Sequence, residues 1–384
     1  MGGGYEVRQA CVDDWPLIRT FIDQTYGAGA PFKGRARWDW AFLDTPFARD
    51  ADGRVPVWIA LENGAVAGQI ALQPGRVWLD GAPHEAGWIV DVMVHPAHRG
   101  RGVGHLIQQA MKETGRTLVT LTMAEATRRM AEKAGCVTLP PVRQMVRIGR
   151  LRGRTVTDVL GPILERRARL RAVGRAFNRS GVGPALAARL AAAAAGAHRI
   201  ALPRPTEADI HPIERIDPAV ADRLFAQQPT AIPGLWDRSG AFCRWRFDAE
   251  PVLRYQRALL MRGGTAAGQV VWRLPEPAEL PVGTLTDVLA DPGDGPAIEA
   301  LAAYAVHAMA PQCEAIVAGA SHPEHLRALR RLGFVAVKTH RPTVISSDPA
   351  MLARCAAIDQ WHFTKADHDW DQVHPIEHQP RLQA

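Results

Sequence analysis

Apolar positions in the first 150 residues fall in short runs that switch between a two-residue and a near-3.6-residue period, the periods of half-buried strands and one-sided helices. Tyr5 to Ala10 reads as a strand and Asp13 to Tyr26 as a helix. Val55 to Leu61 and Ala65 to Leu72 flank Asn63-Gly64, a dipeptide suited to a tight hairpin because both central residues take positive φ. Arg76 to Leu79 and Trp88 to His95 continue as strands, with Asp80-Gly81 as a second turn. Val103 to Thr114 carries Val103, Ile107 and Met111 at helical spacing. Leu118 to Met123 then predicts a strand, Ala124 to Ala134 a helix ending at Gly135, and Val142 to Ile148 a last strand. The implied class is α/β (α+β), a mixed sheet with helices.

The same order recurs later in the chain. Trp40-Ala41-Phe42 with Pro46 is matched by Trp245-Arg246-Phe247 with Pro251, and Ala67-Gly68-Gln69-Ile70 by Ala267-Gly268-Gln269-Val270. Asp91-Val92 with Pro96 is matched by Asp287-Val288 with Pro292, and the helix end Ala134-Gly135 by Leu332-Gly333. Four blocks in one order imply duplication of a single fold. The expected domains are 1-150, a connector at 151-204, and a second copy at 205-384.

Composition fits a chain of two domains: 384 residues, 47% hydrophobic and 22% charged. No signal segment or long apolar span is visible, so the expected location is the cytoplasm. The five cysteines lack CxxC spacing, so they read as ordinary buried thiols, with neither a disulfide framework nor a metal site. The net charge of +7 is concentrated in the connector, where residues 151–200 hold ten arginines against Asp158 and Glu165. That segment reads as a helical link or as a basic arm for an anionic partner; the absence of interleaved aromatic residues argues against nucleic acid.

The most legible stretch is His95-Pro96-Ala97-His98-Arg99-Gly100-Arg101-Gly102-Val103-Gly104. A glycine-rich turn between a strand and a helix exposes free backbone N–H groups at the positive end of the helix dipole, a cradle for phosphate. Arg99 and Arg101 can add charge-assisted hydrogen bonds, and Gly100, Gly102 and Gly104 let an anion approach the backbone. The spacing fits neither GxGxxG nor GxxxxGK[ST]. After Pro292 the second copy reads Gly293-Asp294-Gly295-Pro296-Ala297, without the arginines.

Val92-Met93-Val94-His95-Pro96 followed by Arg99-Gly100-Arg101-Gly102-Val103-Gly104 resembles the signature of the GNAT superfamily of acyl-CoA N-acyltransferases, and the element order agrees. The resemblance implies two tandem GNAT-like domains joined by a helical connector, the second degenerate. It further implies that acetyl-CoA or another acyl-CoA is co-substrate. Loop amides at 101 to 104 would bind its pyrophosphate, and backbone around Val92, Met93 and Val94 would pair with the pantetheine arm. The implied reaction is direct acyl transfer to an amine-bearing acceptor.

Such a reaction needs a base near the fourth strand. Asp91, set among Ile89, Val90, Val92 and Met93, is the first candidate, followed by Glu85 and His84. Asp287 occupies the same place in the copy without the loop, which favours a structural role, for instance accepting from the Trp40 or Trp245 indole. Ala131 stands where many family members carry an acid tyrosine, and Cys136 is a weak donor, so the acid is unassigned. The tail holds His362, His368, His374 and His378 with Asp367, Asp369 and Asp371; it reads as a strand with a polar tip, whose carboxylates could receive a cationic amine. Two other classes stay open: a non-catalytic CoA-binding or scaffold protein, and a transferase for a large anionic acceptor such as an envelope polymer or a tRNA-linked substrate.

Overall fold

The computed structural model describes residues 4–26, 33–47, 53–123, 125–149, 209–276 and 280–371. The arginine-rich connector, His374 and His378 lie outside the described residues.

The first half forms β1 (Glu6–Cys11), α1 (Trp15–Tyr26), α2 (Arg35–Phe42), β2 (Arg54–Glu62), β3 (Ala65–Leu79), β4 (Ala82–Val94), α3 (Val103–Lys112), β5 (Thr117–Thr120), α4 (Glu125–Lys133), β6 (Val137–Thr138) and β7 (Val142–Ile148). Both hairpin turns follow the expected chemistry, with positive φ at Asn63, Gly64, Asp80 and Gly81. The sequence pattern breaks at Pro74-Gly75, yet β3 runs through it. On one side of β3, β2 pairs only as far as Ala71 and β9 (Gly234–Trp236) only from Val77, so Pro74 sits in a gap where no neighbour needs its missing N–H. At Gly75 a Cβ would come within 2.8 Å of the Trp236 ring.

The second half repeats the plan with β8 (Ile210–Ile213), α5 (Pro218–Ala226), β10 (Tyr255–Arg262), β11 (Thr265–Arg273), β12 (Val282–Ala290), α6 (Gly295–Met309), β13 (Ala315–Ala320), α7 (Pro323–Arg331), β14 (Val335–His340), β15 (Thr343–Ile345), α8 (Pro349–Ala357) and β16 (Trp361–His362). The fold is thus mixed α/β with two sheets, but the sheets do not divide at the connector. One has the path β1-β2-β3-β4-β5-β15-β6, with β9 added to β3 and β16 to β9; the other runs β14-β7-β13-β12-β11-β10-β8. The halves therefore exchange strands: from the second, β15 pairs with β5 and β6 and β9 with β3, and from the first, β7 lies between β13 and β14. A cut at residue 150 separates stretches of sequence and leaves neither sheet whole.

The repeated blocks have physical reasons. Gly68 and Gly268 let a helix close on its sheet: a Cβ would meet Val103 Cγ1 at 2.8 Å in one half and Leu301 Cδ1 at 2.7 Å in the other. Trp40 and Trp245 stack on each other, centroids 4.8 Å apart and planes at 13°. Each indole Nε1 donates to the other's backbone carbonyl at 2.8 Å. That satisfies both buried donors and corrects the expected pairing of these indoles with Asp91 and Asp287. The same core, shared by both halves, also stacks Trp88 on Trp236 at 4.4 Å.

Candidate functional site

The site is set by what happens to β4 beyond its midpoint. β4 pairs in parallel with β5 only at Ala86, Gly87 and Trp88; past Trp88 the two strands part. On its other edge β4 carries a bulge, because Gln69 faces Met93 and Ala71 faces Val90, leaving Asp91 and Val92 opposite Ile70. Asp91 takes φ 51°, a left-handed conformation that costs an L-residue about 1–2 kcal/mol and that aspartate adopts more readily than most. Val92 turns outward, 58% exposed.

The glycine loop follows directly. A turn of 3-10 helix at Pro96–His98 leads to Gly100 (φ 77°) and to Gly102 (φ 82°), the N-cap of α3. A Cβ at either glycine would meet no protein atom within 4 Å, so the backbone conformation, and not packing, calls for glycine, and the space beside it is open. Gly102 offers no side-chain cap, and among the described residues no acceptor meets the amides of Gly102, Val103 or Gly104. The arginines are less free than their spacing implies. Arg101 reaches Glu62 at 3.3 Å and lies over the Tyr5 ring, and Arg99 Nε approaches the Val94 carbonyl at 3.4 Å.

At the corresponding place the second half is closed. The Asp294 carboxylate caps α6 by accepting from Ala297 N at 3.0 Å, and it is paired with Arg262. Glu62 and Arg262 both end their strands beside the hairpin turn, opposite Ala65 and Thr265. The halves thus carry inverted charge, with the cation on the loop in the first and the carboxylate on the loop in the second. A phosphate approaching α6 would meet a carboxylate already on the amides. β12 and β13 also part, after Leu285, but there His325 Nε2 bonds the Val288 carbonyl at 3.0 Å.

Asp91 is held by an ion pair with Lys33, both side chains nearly buried, at 7% and 5% exposure. Asp287 is held by Arg238 at 3.1 Å and the Thr364 hydroxyl at 2.6 Å. The repeated aspartate therefore binds a different cation in each half. Glu85 and His84 sit six and seven positions before Asp91 on the same strand, about 20 Å away at ~3.3 Å per residue; His84 Nε2 meets Arg354 at 2.9 Å. The structure does not bring these two to the bulge.

It brings the tail there instead. Buried Arg238 and Arg246 anchor that segment through Asp367, Asp371 and the Ala366 carbonyl, so two of the carboxylates foreseen for an amine are already engaged. The next residue, His368 (φ 61°), points at β4 where the strands separate: its Nε2 bonds the Ile89 carbonyl at 3.0 Å and its Nδ1 is paired with Asp369. Each nitrogen thus faces an acceptor, an arrangement that favours the imidazolium. Burial works against that charge, but the Asp369 and Asp91 carboxylates and the Ile89 carbonyl together raise the pKa above the ordinary histidine value. His368 lies more than 200 residues from the loop, and no local spacing marked it. Cys136 is half-buried and its thiol is pushed up by desolvation, which keeps it protonated. Among the described residues no group of three or more His, Cys, Asp or Glu side chains could hold a metal ion, and no helix is long and apolar enough to cross a membrane.

A fourth strand that parts from its neighbour thus leads into an uncapped, glycine-opened helix. Residues 6–137 match the family described as acetyltransferase (GNAT) domain. No curated protein matches the chain. Solved structures share the fold over both halves. A GCN5-related N-acetyltransferase from Anabaena variabilis is 12% identical, with TM-score 0.57 over 90% of this chain and 73% of that one. One from Kribbella flavida is 16% identical, with TM-score 0.56 over 91% and 72%. Saccharomyces cerevisiae N-myristoyltransferase with bound myristoyl-CoA is 11% identical, with TM-score 0.56 over 90% and 83%.

Proposed function

We propose that this chain is an N-acyltransferase that moves an acyl group, acetyl in the simplest case, from acyl-CoA to an amine-bearing acceptor, and that it binds the coenzyme in the first half only. The observation that carries this reading is the contrast between the open amides at Gly102, Val103 and Gly104 and the carboxylate-capped start of α6. The coenzyme's pyrophosphate fits the first and is repelled by the second. Val92 to Val94, on the edge of β4 that β5 has left, would hold the pantetheine arm. The thioester supplies the activated acyl group. Asp91, tied to Lys33, fixes the bulge and its field, and His368 holds a proton beside the separation of the strands, where it would serve a leaving thiolate. The connector, proposed as 151-204, links two catalytically unequal halves.

Calorimetry with CoA tests the reading together with a screen of amines against acetyl-CoA, followed by thiol release over a range of pH. One CoA per chain, amine-dependent thiol release and an alkaline fall in kcat that His368→Gln abolishes are expected. Two CoA per chain would contradict the single site. Binding without transfer to any amine would select a non-catalytic CoA-binding protein.

A further inference from the structure

Where the halves exchange strands lies an open, solvent-facing cavity of about 610 Å³, within the range of small-molecule sites. Its walls come from the turn after β5 (Thr122), α4 (Arg128), the start of β7 (Arg143) and the end of β14 with the turn beyond it (Lys338, Thr339 and Arg341). Arg128 is paired with Glu132 at 2.9 Å. Arg143 has a neutral partner, donating to the Thr339 hydroxyl at 2.6 Å. Among the described residues no carboxylate lies within ion-pair distance of Arg143, Lys338 or Arg341, and Glu125, the carboxylate on the wall, is held by Arg129. Arg143 is half-buried and Lys338 and Arg341 are exposed, so the three make one wall a positive patch without a carboxylate partner, which attracts an anion through its summed field.

The cavity opens just beyond β5, the strand from which β4 parts after Trp88. Leu121 on its wall belongs to the same core as Val90 and Met93 of β4. His340, also on the wall, stands edge-on to Trp370 at 5.0 Å, two residues beyond His368. An acceptor could therefore place its amine toward the separation of β4 from β5 and its other end among the cations.

We propose that this cavity holds an oxyanion of the acceptor, so that the substrate is an amine that also bears a carboxylate or a phosphate. The proposal rests on the acyltransferase reading for the amine, though not for the anion. Arg143 and Arg341 can each grip such a group with two parallel hydrogen bonds, with Thr122 and Thr339 as hydroxyl donors.

The test compares one amine in three forms, carrying a carboxylate, a phosphate or a neutral amide, in wild type and in the combined Arg143→Gln, Lys338→Gln, Arg341→Gln variant. The better anionic form should exceed the amide by about tenfold or more in kcat/KM, and the variant should reduce that ratio to near one; which anion leads identifies the natural group. Calorimetry with inorganic pyrophosphate in a Gly102→Val background, where the coenzyme loop no longer competes for the probe, reads the cavity without turnover. Its affinity should fall about tenfold when the three cavity substitutions are added to that background. Equal pyrophosphate affinity with and without the three substitutions, or an unchanged preference among the three amines, overturns the proposal. So does a triple variant that loses affinity for CoA but not for dephospho-CoA, since the cavity would then serve the coenzyme. Cavity-dependent pyrophosphate binding in a protein that acylates no amine would sink the acyltransferase reading and leave the anion site standing.

Discussion

At the scale of residues, the duplicated aspartate shows how a sequence can mark a position without revealing its duty. Asp91 and Asp287 were conspicuous because they recur at matching places, but their partners, Lys33 and the Arg238–Thr364 pair, come from remote segments with no shared pattern. Both aspartates neutralise a nearly buried cation. Removing one partner of such a pair costs about 3–5 kcal/mol, because the other charge is left uncompensated. Asp91→Asn and Asp287→Asn should therefore each lower the melting temperature markedly, with CoA affinity nearly retained in the second. A stable Asp91→Asn protein with turnover down about 10²-fold, beside a destabilised Asp287→Asn protein, would instead assign Asp91 to proton transfer. The Arg262–Asp294 and Glu62–Arg101 pairs make the same point. Only the folded chain shows that the halves have traded the sign of charge at one corner.

At the scale of elements, local chemistry was largely readable. The hairpins at Asn63-Gly64 and Asp80-Gly81, the α3 stripe of Val103, Ile107 and Met111, and the glycine loop all appear where periodicity and turn preference put them. The continuous β3 did not, because Pro74 normally ends a strand and only the gap between β2 and β9 makes it harmless. Two glycines separate packing from binding. Gly68→Val would drive a side chain into Val103 and the Met93 carbonyl, costing about 1–3 kcal/mol by overpacking. Gly102→Val meets no protein atom but must adopt φ 82°, so it should distort the amides and weaken CoA binding by about tenfold or more. Thermal melts and CoA titrations of both variants check the distinction; unchanged CoA affinity in Gly102→Val would remove the loop from the site.

At the scale of the whole molecule, ionisation of the second half governs acid tolerance. Burial holds His325 near a pKa of about 4 and His340 near about 3, and it lowers His322 and His362 as well. In the unfolded chain these histidines titrate near ~6.5, so below that pH the unfolded state takes up protons the folded state refuses. Stability is therefore lost as pH falls from ~6.5 toward 4. His368 acts in the opposite sense: its contribution is full below ~6.5 and fades as pH rises through its elevated folded value. Four groups outweigh one, so the melting temperature should be ~5 °C or more lower at pH 5 than at pH 7.5; equal values would contradict the burial of these rings as neutral species. The strand exchange lay beyond the sequence pattern, because alternation tells which face of a strand is buried and not which sheet receives it. Its consequence concerns the order of events during synthesis. Thr117 of the first sheet meets Ser346 across 229 positions of chain, and Gln144 waits 196 positions for His340. A ribosome that has finished the first 150 residues has released a sheet lacking an interior strand and a surplus strand lacking its sheet. Neither deficit is repaired until nearly the last segment emerges, so the nascent chain carries unpaired strand edges through most of its translation and depends on late completion to hide them.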